Sequence, residues 1–154
     1  MKPSLTLSIA GLLLLASAVV APQAAGDNKR LNDSVVANVY QIQHDGGCTN
    51  DVTINPQLRL AAQWHTNDVL NNRARSDGST AQDRANAAGY RGIVAETVAI
   101  NPALAISGIE ILQQWYHRPD YKAIMSDCGN VHMGVWSENR LDRSVVVAVY
   151  GRPT

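Results

Sequence analysis

The sequence predicts one α+β domain, a small antiparallel sheet covered by amphipathic helices. Three observations carry this. Asn55-Pro56 and Asn101-Pro102 each read as a helix start, followed by apolar residues at helical spacing. The closing runs Val131 to Ser137 and Ser144 to Gly151 flank an Asn139 to Asp142 turn, the mark of a hairpin. Between them in type stands Gly89 to Ile100, an apolar strand opened by a Gly-Tyr-Arg-Gly turn.

The elements follow in order. Leu31 to His44 places Val35, Val36, Val39, Tyr40 and Ile42 at helical spacing, with Asn32 or Asp33 as cap. Cys48 to Ile54 reads as a loop. The helix after Asn55 carries Leu58, Ala61, Ala62, His65 and Val69 on one face. Asn71 to Ser79 is a polar loop, and Thr80 to Ala88 a short helix capped by Ser79 or Thr80, with Gly89 as its terminator. The helix expected after Asn101-Pro102 bears Ala105, Ile109, Leu112 and Tyr116 and ends before Pro119; Asp120 to Asp127 adds a helical turn. The hairpin and the Glu96 strand are the natural sheet partners. Trp64, Trp115, Trp136 and Tyr150 read as core, since the chain has no phenylalanine.

Met1 to Ala25 has the three parts of a secretory signal: Lys2, the apolar run Leu5 to Val20, and small-residue exits at Ala16-Ser17-Ala18 or Ala24-Ala25. An uncleaved anchor is the competing reading of that run, but Ser4, Thr6, Ser8, Ser17 and Pro22 thin it. The expectation is a leader over residues 1–25 and one domain over 26–154, exported to the medium or the cell envelope, without stable membrane insertion after cleavage. In that compartment Cys48 and Cys128, the chain's two cysteines, are expected to pair. Thirteen basic residues balance thirteen acidic ones with no basic block, which argues against a nucleic-acid partner.

Glu96 is the residue that needs explaining. It sits among Val94, Ala95, Val98 and Ile100, and a carboxylate buried there must meet a donor or turn out to water. His65, on an apolar helix face, reads as a packed histidine; His44 and His132 read as exposed or strand-edge.

The segments LAAQWHTNDV, SDGSTAQDRANAAGY, AETVA, WYHRPDYKAIM, MGVW and AVYG, in this order from about Val35 to Gly151, resemble the CAP superfamily (SCP-like, cysteine-rich secretory domains) in compact bacterial form. The resemblance implies an α-β-α sandwich and an extracellular address. It also implies a cleft tetrad of two histidines and two glutamates able to hold a divalent cation. Here the matching positions are Arg73, Glu96, Arg118 and Tyr121, so three of the four are replaced. Arginine has no lone pair to give a metal. No metal and no cofactor is therefore expected, and Glu96 is expected to pair with Arg73 or Arg118.

The function this favours is a non-catalytic extracellular binding or interaction module, its cleft taking an unidentified protein or a small anionic or polar ligand. A hydrolase of peptides or cell-wall material, using Glu96 with His65 or His117, is the alternative from another class. Lipid or sterol carriage is suggested by the family alone.

Overall fold

A computed structural model describes residues 23–71 and 79–154, with side chains from residue 28. Arg73, most of the leader and the interior of the polar loop lie outside the described residues. The described elements are α1 (Gln23–Asp45), β1 (Thr53–Ile54), α2 (Pro56–Leu70), α3 (Ala81–Ala87), β2 (Ile93–Asn101), α4 (Gly108–Tyr116), α5 (Pro119–Ser126), β3 (His132–Arg140) and β4 (Arg143–Arg152). None of the described helices is long and apolar enough to cross a membrane.

The sheet has the order β1-β3-β4-β2. β3 and β4 form the expected hairpin, and β2 pairs antiparallel with β4, Glu96 opposite Val149. β1, read as loop from the sequence, is a two-residue strand parallel to β3. It is too short to show a period.

β4 explains its own unbroken apolar run. Side chains alternate along a strand, and a central strand covered on both faces needs apolar residues at every position. Val146, Ala148 and Tyr150 face a core built with α1, α4 and α5, including Val35, Val39, Ile111, Trp115 and Met125. Val145, Val147 and Val149 face a second core built with α2 and α3, including Leu58, Ala62 and Ala85. The result is a three-layer α-β-α sandwich. Gly134 lets α2 lie directly on β3: a Cβ there would stand 2.1 Å from the Arg59 backbone nitrogen. Tyr150 is fully buried, its hydroxyl 2.9 Å from Thr97 Oγ1, and burial pushes its ionisation far upward.

Helix starts follow local chemistry. Asn55 Oδ1 accepts from the Gln57 and Leu58 amides with Pro56 in the first turn, as expected. Thr80 and Asp83 form a reciprocal capping box on α3. Asn101-Pro102, however, starts no helix. β2 runs through Asn101, and α4 begins at Gly108 behind a Ser107–Glu110 capping box. That box is itself a sequence signal, and the strand pairing of Asn101 with Ser144 overrides the Asn-Pro start. In consequence α4 buries Ile111, Leu112 and Trp115, while Ile109 and Tyr116 are exposed. α1 starts eight residues before the expected Leu31. Its first turns dock through polar contacts: the Ser137 hydroxyl donates to Asn32 Oδ1 at 2.8 Å, and the Asn139 amide to Asn28 Oδ1 at 3.0 Å. Asn32 thus docks a helix it was expected to cap.

Cys48 and Cys128 are disulfide-bonded, Cα atoms 5.3 Å apart. The bond ties the end of α1 to the α5–β3 connection, where the buried Gln43 amide donates to the carbonyls of Asp127 and Asn130. It closes a loop of 80 residues. Replacing both cysteines with Ala is expected to lower unfolding free energy by roughly 4–5 kcal/mol, read as a fall in the denaturant midpoint with an intact fold by circular dichroism.

Candidate functional site

Glu96 lies on the face of β2 shared with Val94 and Val98, the face covered by α2 and α3. Its side chain is 14% exposed. Both carboxylate oxygens accept from the Arg84 guanidinium: Nη2 stands 3.1 Å from Oε1 and 3.0 Å from Oε2. His65 Nε2 stands 3.3 Å from Oε1. Three elements therefore meet at one carboxylate: α2 through His65, α3 through Arg84 and β2 through Glu96.

The partner of Glu96 is thus Arg84, where Arg73 or Arg118 was expected. Arg73 is outside the described residues. Arg118 serves another carboxylate: its Nη2 is 2.8 Å from Asp120 Oδ2, and its guanidinium lies 3.6 Å over the Tyr121 ring. Parity supplies the reason. α5 packs on the opposite face of the sheet, where Tyr121 sits against Trp115 and the α1–α4–α5 core. Tyr121 hydrogen-bonds β2 at its backbone, its hydroxyl accepting from the Val98 amide at 3.3 Å. Gln82 answers the same strand edge further along. Its amide donates to Gly92 O at 2.9 Å and its carbonyl accepts from the Val94 amide at 3.0 Å. These contacts blunt an edge that would otherwise invite another strand.

Of the two histidines considered with Glu96, the structure brings one to it. His117 is the exposed C-cap of α4, near Glu110 and Gln113 rather than Glu96. Arg84 was missed from sequence, although a signal existed. Ala81, Ala85 and Ala88 mark the inward face of α3, and Arg84 falls on that stripe, so it had to be an arginine carried inward to an acid. Its Nη1 also donates to the Ser79 carbonyl at 2.9 Å.

Burial lowers the His65 pKa below its ordinary 6.5; the Glu96 charge opposes this and the Arg84 charge reinforces it. The imidazole is therefore neutral at neutral pH. Among the described residues no group of three or more His, Cys, Asp or Glu side chains could hold a metal ion. His132 is paired with the buried Tyr90, Oη to Nδ1 3.0 Å, and His44 with Asp51 at 3.2 Å.

Beside the ion pair lies a cavity of about 530 Å³ between α2 and α3. Trp64, Asn67 and Asp68 line it from α2, and Ser79, Asp83 and Arg84 from the start of α3. Trp64, expected in the core, is 37% exposed. The core of α2 is filled by its small face, Ala61 and Ala62, so the indole is turned to this opening.

Two outcomes follow from the burial. Arg84→Ala leaves a buried carboxylate without its cation and is expected to cost about 3–5 kcal/mol. The Arg84→Ala/Glu96→Gln double variant recovers part of that loss, a coupling read from a double-mutant cycle in urea. His65 has a folded pKa below its unfolded one, so its contribution is complete above pH 6.5 and is lost as pH falls toward the folded value. His65→Asn is expected to flatten that part of the decline in thermal midpoint between neutral and mildly acidic pH.

No family model matches the chain, and no curated protein matches it. Solved structures do. An outer surface protein from Borrelia burgdorferi superposes with TM-score 0.67 at 14% identity, over 79% of this chain and 92% of that one. An extracellular protein containing a SCP domain from Bacillus anthracis gives 0.73 at 15% identity, over 86% of this chain but 44% of that one, so the chain spans less than half of it. A structure of NaASP2 with Zn2+ gives 0.53 at 11% identity, over 87% of this chain and 82% of that one. At such identities the likeness is one of architecture, and it matches the α-β-α layering described above: the chain has the CAP-type fold.

Proposed function

We propose that this chain is an exported, non-catalytic binding module that uses the CAP scaffold without its cation site. The observation that carries the reading is the double engagement of Glu96 by Arg84, 3.0 and 3.1 Å to the two oxygens. A carboxylate so held has its charge answered. A dication at the same oxygens would stand against a fixed guanidinium and lose more to repulsion than one remaining acid returns. The Zn2+ of the NaASP2 structure belongs to that protein. Here Glu96 is met by Arg84 and His65, while Arg118 and Tyr121 belong to the other side of the sheet, and the residues present do not fit a divalent ion. The Arg84–Glu96–His65 cluster is a pin joining α2, α3 and β2, and the cavity beside it is the place for a ligand. The outer surface and extracellular proteins with this fold, with the leader-like residues 1–25, support an address outside the cytoplasm.

One observation favours a second reading, a hydrolase. A neutral imidazole stands 3.3 Å from a carboxylate, an arrangement suited to general-base work. Against it, the Arg84 guanidinium already occupies both carboxylate oxygens, and little of Glu96 faces solvent. A calorimetric zinc titration separates the readings. The binding module gives no saturable heat that Glu96→Gln removes, and it cleaves no peptide, ester or glycan. A divalent ion that survives buffer exchange in native mass spectrometry, or turnover lost in a folded Glu96→Gln variant, would overturn the proposal.

A further inference from the structure

The cavity between α2 and α3 has a composition that narrows its ligand. One wall carries the indole of Trp64, 37% exposed, where Trp115 is buried and Trp136 partly so. Around it stand an amide (Asn67), a hydroxyl (Ser79) and two carboxylates (Asp68, Asp83). The volume, about 530 Å³, lies in the range of sites for small organic ligands. The floor is set by Arg84, only 8% exposed, whose bonds to Ser79 and Glu96 fix it in place. Trp64, Asn67 and Asp68 lie on one helical stripe, and Ser79, Asp83 and Arg84 on the facing segment, so the two sets oppose each other across the opening.

We propose that this cavity is a saccharide-binding groove in which a neutral sugar stacks on Trp64 and its hydroxyls bond to Asn67, Asp68, Ser79 and Asp83. The assignment rests on the binding-module reading of the preceding section. Each sugar hydroxyl both donates and accepts, and the lining offers both: donors on Asn67 and Ser79, acceptors on all four. Asp68, Ser79 and Asp83 already hold partners, but a carboxylate has about four lone-pair sites, so a hydroxyl adds to these contacts without displacing them. The apolar face of a pyranose ring matches an aromatic surface with its remaining edges polar.

Charge excludes the simpler alternatives. Asp68 and Asp83 repel an acidic ligand, and Arg84, the one cation among the described lining residues, is already answered by Glu96. A compact ammonium ion would sit between the carboxylates or on the indole. It would make no use of the amide donor of Asn67. A hydroxylated ring uses both kinds of group.

The test titrates the mature protein with chitotriose, cellotriose and maltotriose, followed by calorimetry and by tryptophan fluorescence. Trp64 is the most exposed of the chain's three tryptophans, with Trp136 partly buried and Trp115 fully so, and binding is expected to shift the emission. At least one trisaccharide should bind saturably. Trp64→Ala should weaken it about tenfold or more, with unchanged circular dichroism. Asn67→Ala, an exposed position that leaves the fold alone, should weaken it as well. No saturable binding by any of the three, or binding that both variants leave intact, would overturn the groove and leave the non-catalytic module standing. Tighter binding of lysine amide than of every sugar would overturn it in favour of a cation site. Cleavage of the bound trisaccharide, lost together with binding in Trp64→Ala, would support the groove and overturn the non-catalytic reading instead.

Discussion

A carboxylate on the covered face of a sheet must be met by a cation, and the meeting of Arg84 with Glu96 decides how one side of this domain is assembled. Desolvating the two ions costs several kcal/mol each, and only good geometry with further hydrogen bonds returns it. The guanidinium has that geometry, with two bonds to the carboxylate and another to the Ser79 carbonyl. A short helix of seven residues would be marginal by itself. Anchored at Arg84 and capped by Thr80 and Asp83, α3 holds a fixed place over β2, and the opening between α3 and α2 acquires fixed walls.

The other side of the sheet is built by volume rather than charge. Trp115, Met125, Met133 and Tyr150 fill a core with no phenylalanine, and the large aromatic residues there come from α4 and β4. The disulfide closes the same side by fastening the end of α1 to the connection after α5. One layer is therefore pinned by an ion pair and the other by packing and a covalent bond. β4, buried on both faces, is the common wall.

This division bears on function. The Arg84 guanidinium makes the Glu96 carboxylate a structural group, held between α2, α3 and β2. Arg118 and Tyr121 belong to the other side of the sheet. Those two side chains pair with Asp120 and with each other, and Tyr121 seals the outer edge of β2 at Val98. At the α2–α3 opening, the place proposed for a ligand, an exposed indole and several hydrogen-bonding groups converge.

The layered α+β fold, the hairpin, the pairing of Cys48 with Cys128 and the Asn55-Pro56 helix start were all legible from the chain alone. Each depends on local chemistry or on periodicity: caps, apolar alternation, and two cysteines with no other cysteine to pair with. The need of Glu96 for a donor was legible for the same reason, since the cost of an unpaired buried carboxylate follows from its neighbours in the strand. Which donor answers it was not. Arg73, Arg84 and Arg118 are equivalent until strand parity and helix placement show that α3 covers the face bearing Glu96 and α5 the other. The start of α4 at Ser107, the outward turn of Trp64 and the separation of His117 from His65 were likewise settled in three dimensions, where strand pairing and the packing of small residues outweigh local propensity. Sequence alone determined what each residue required; the tertiary structure decided which residue supplied it, because only the fold fixes which side chains share a face.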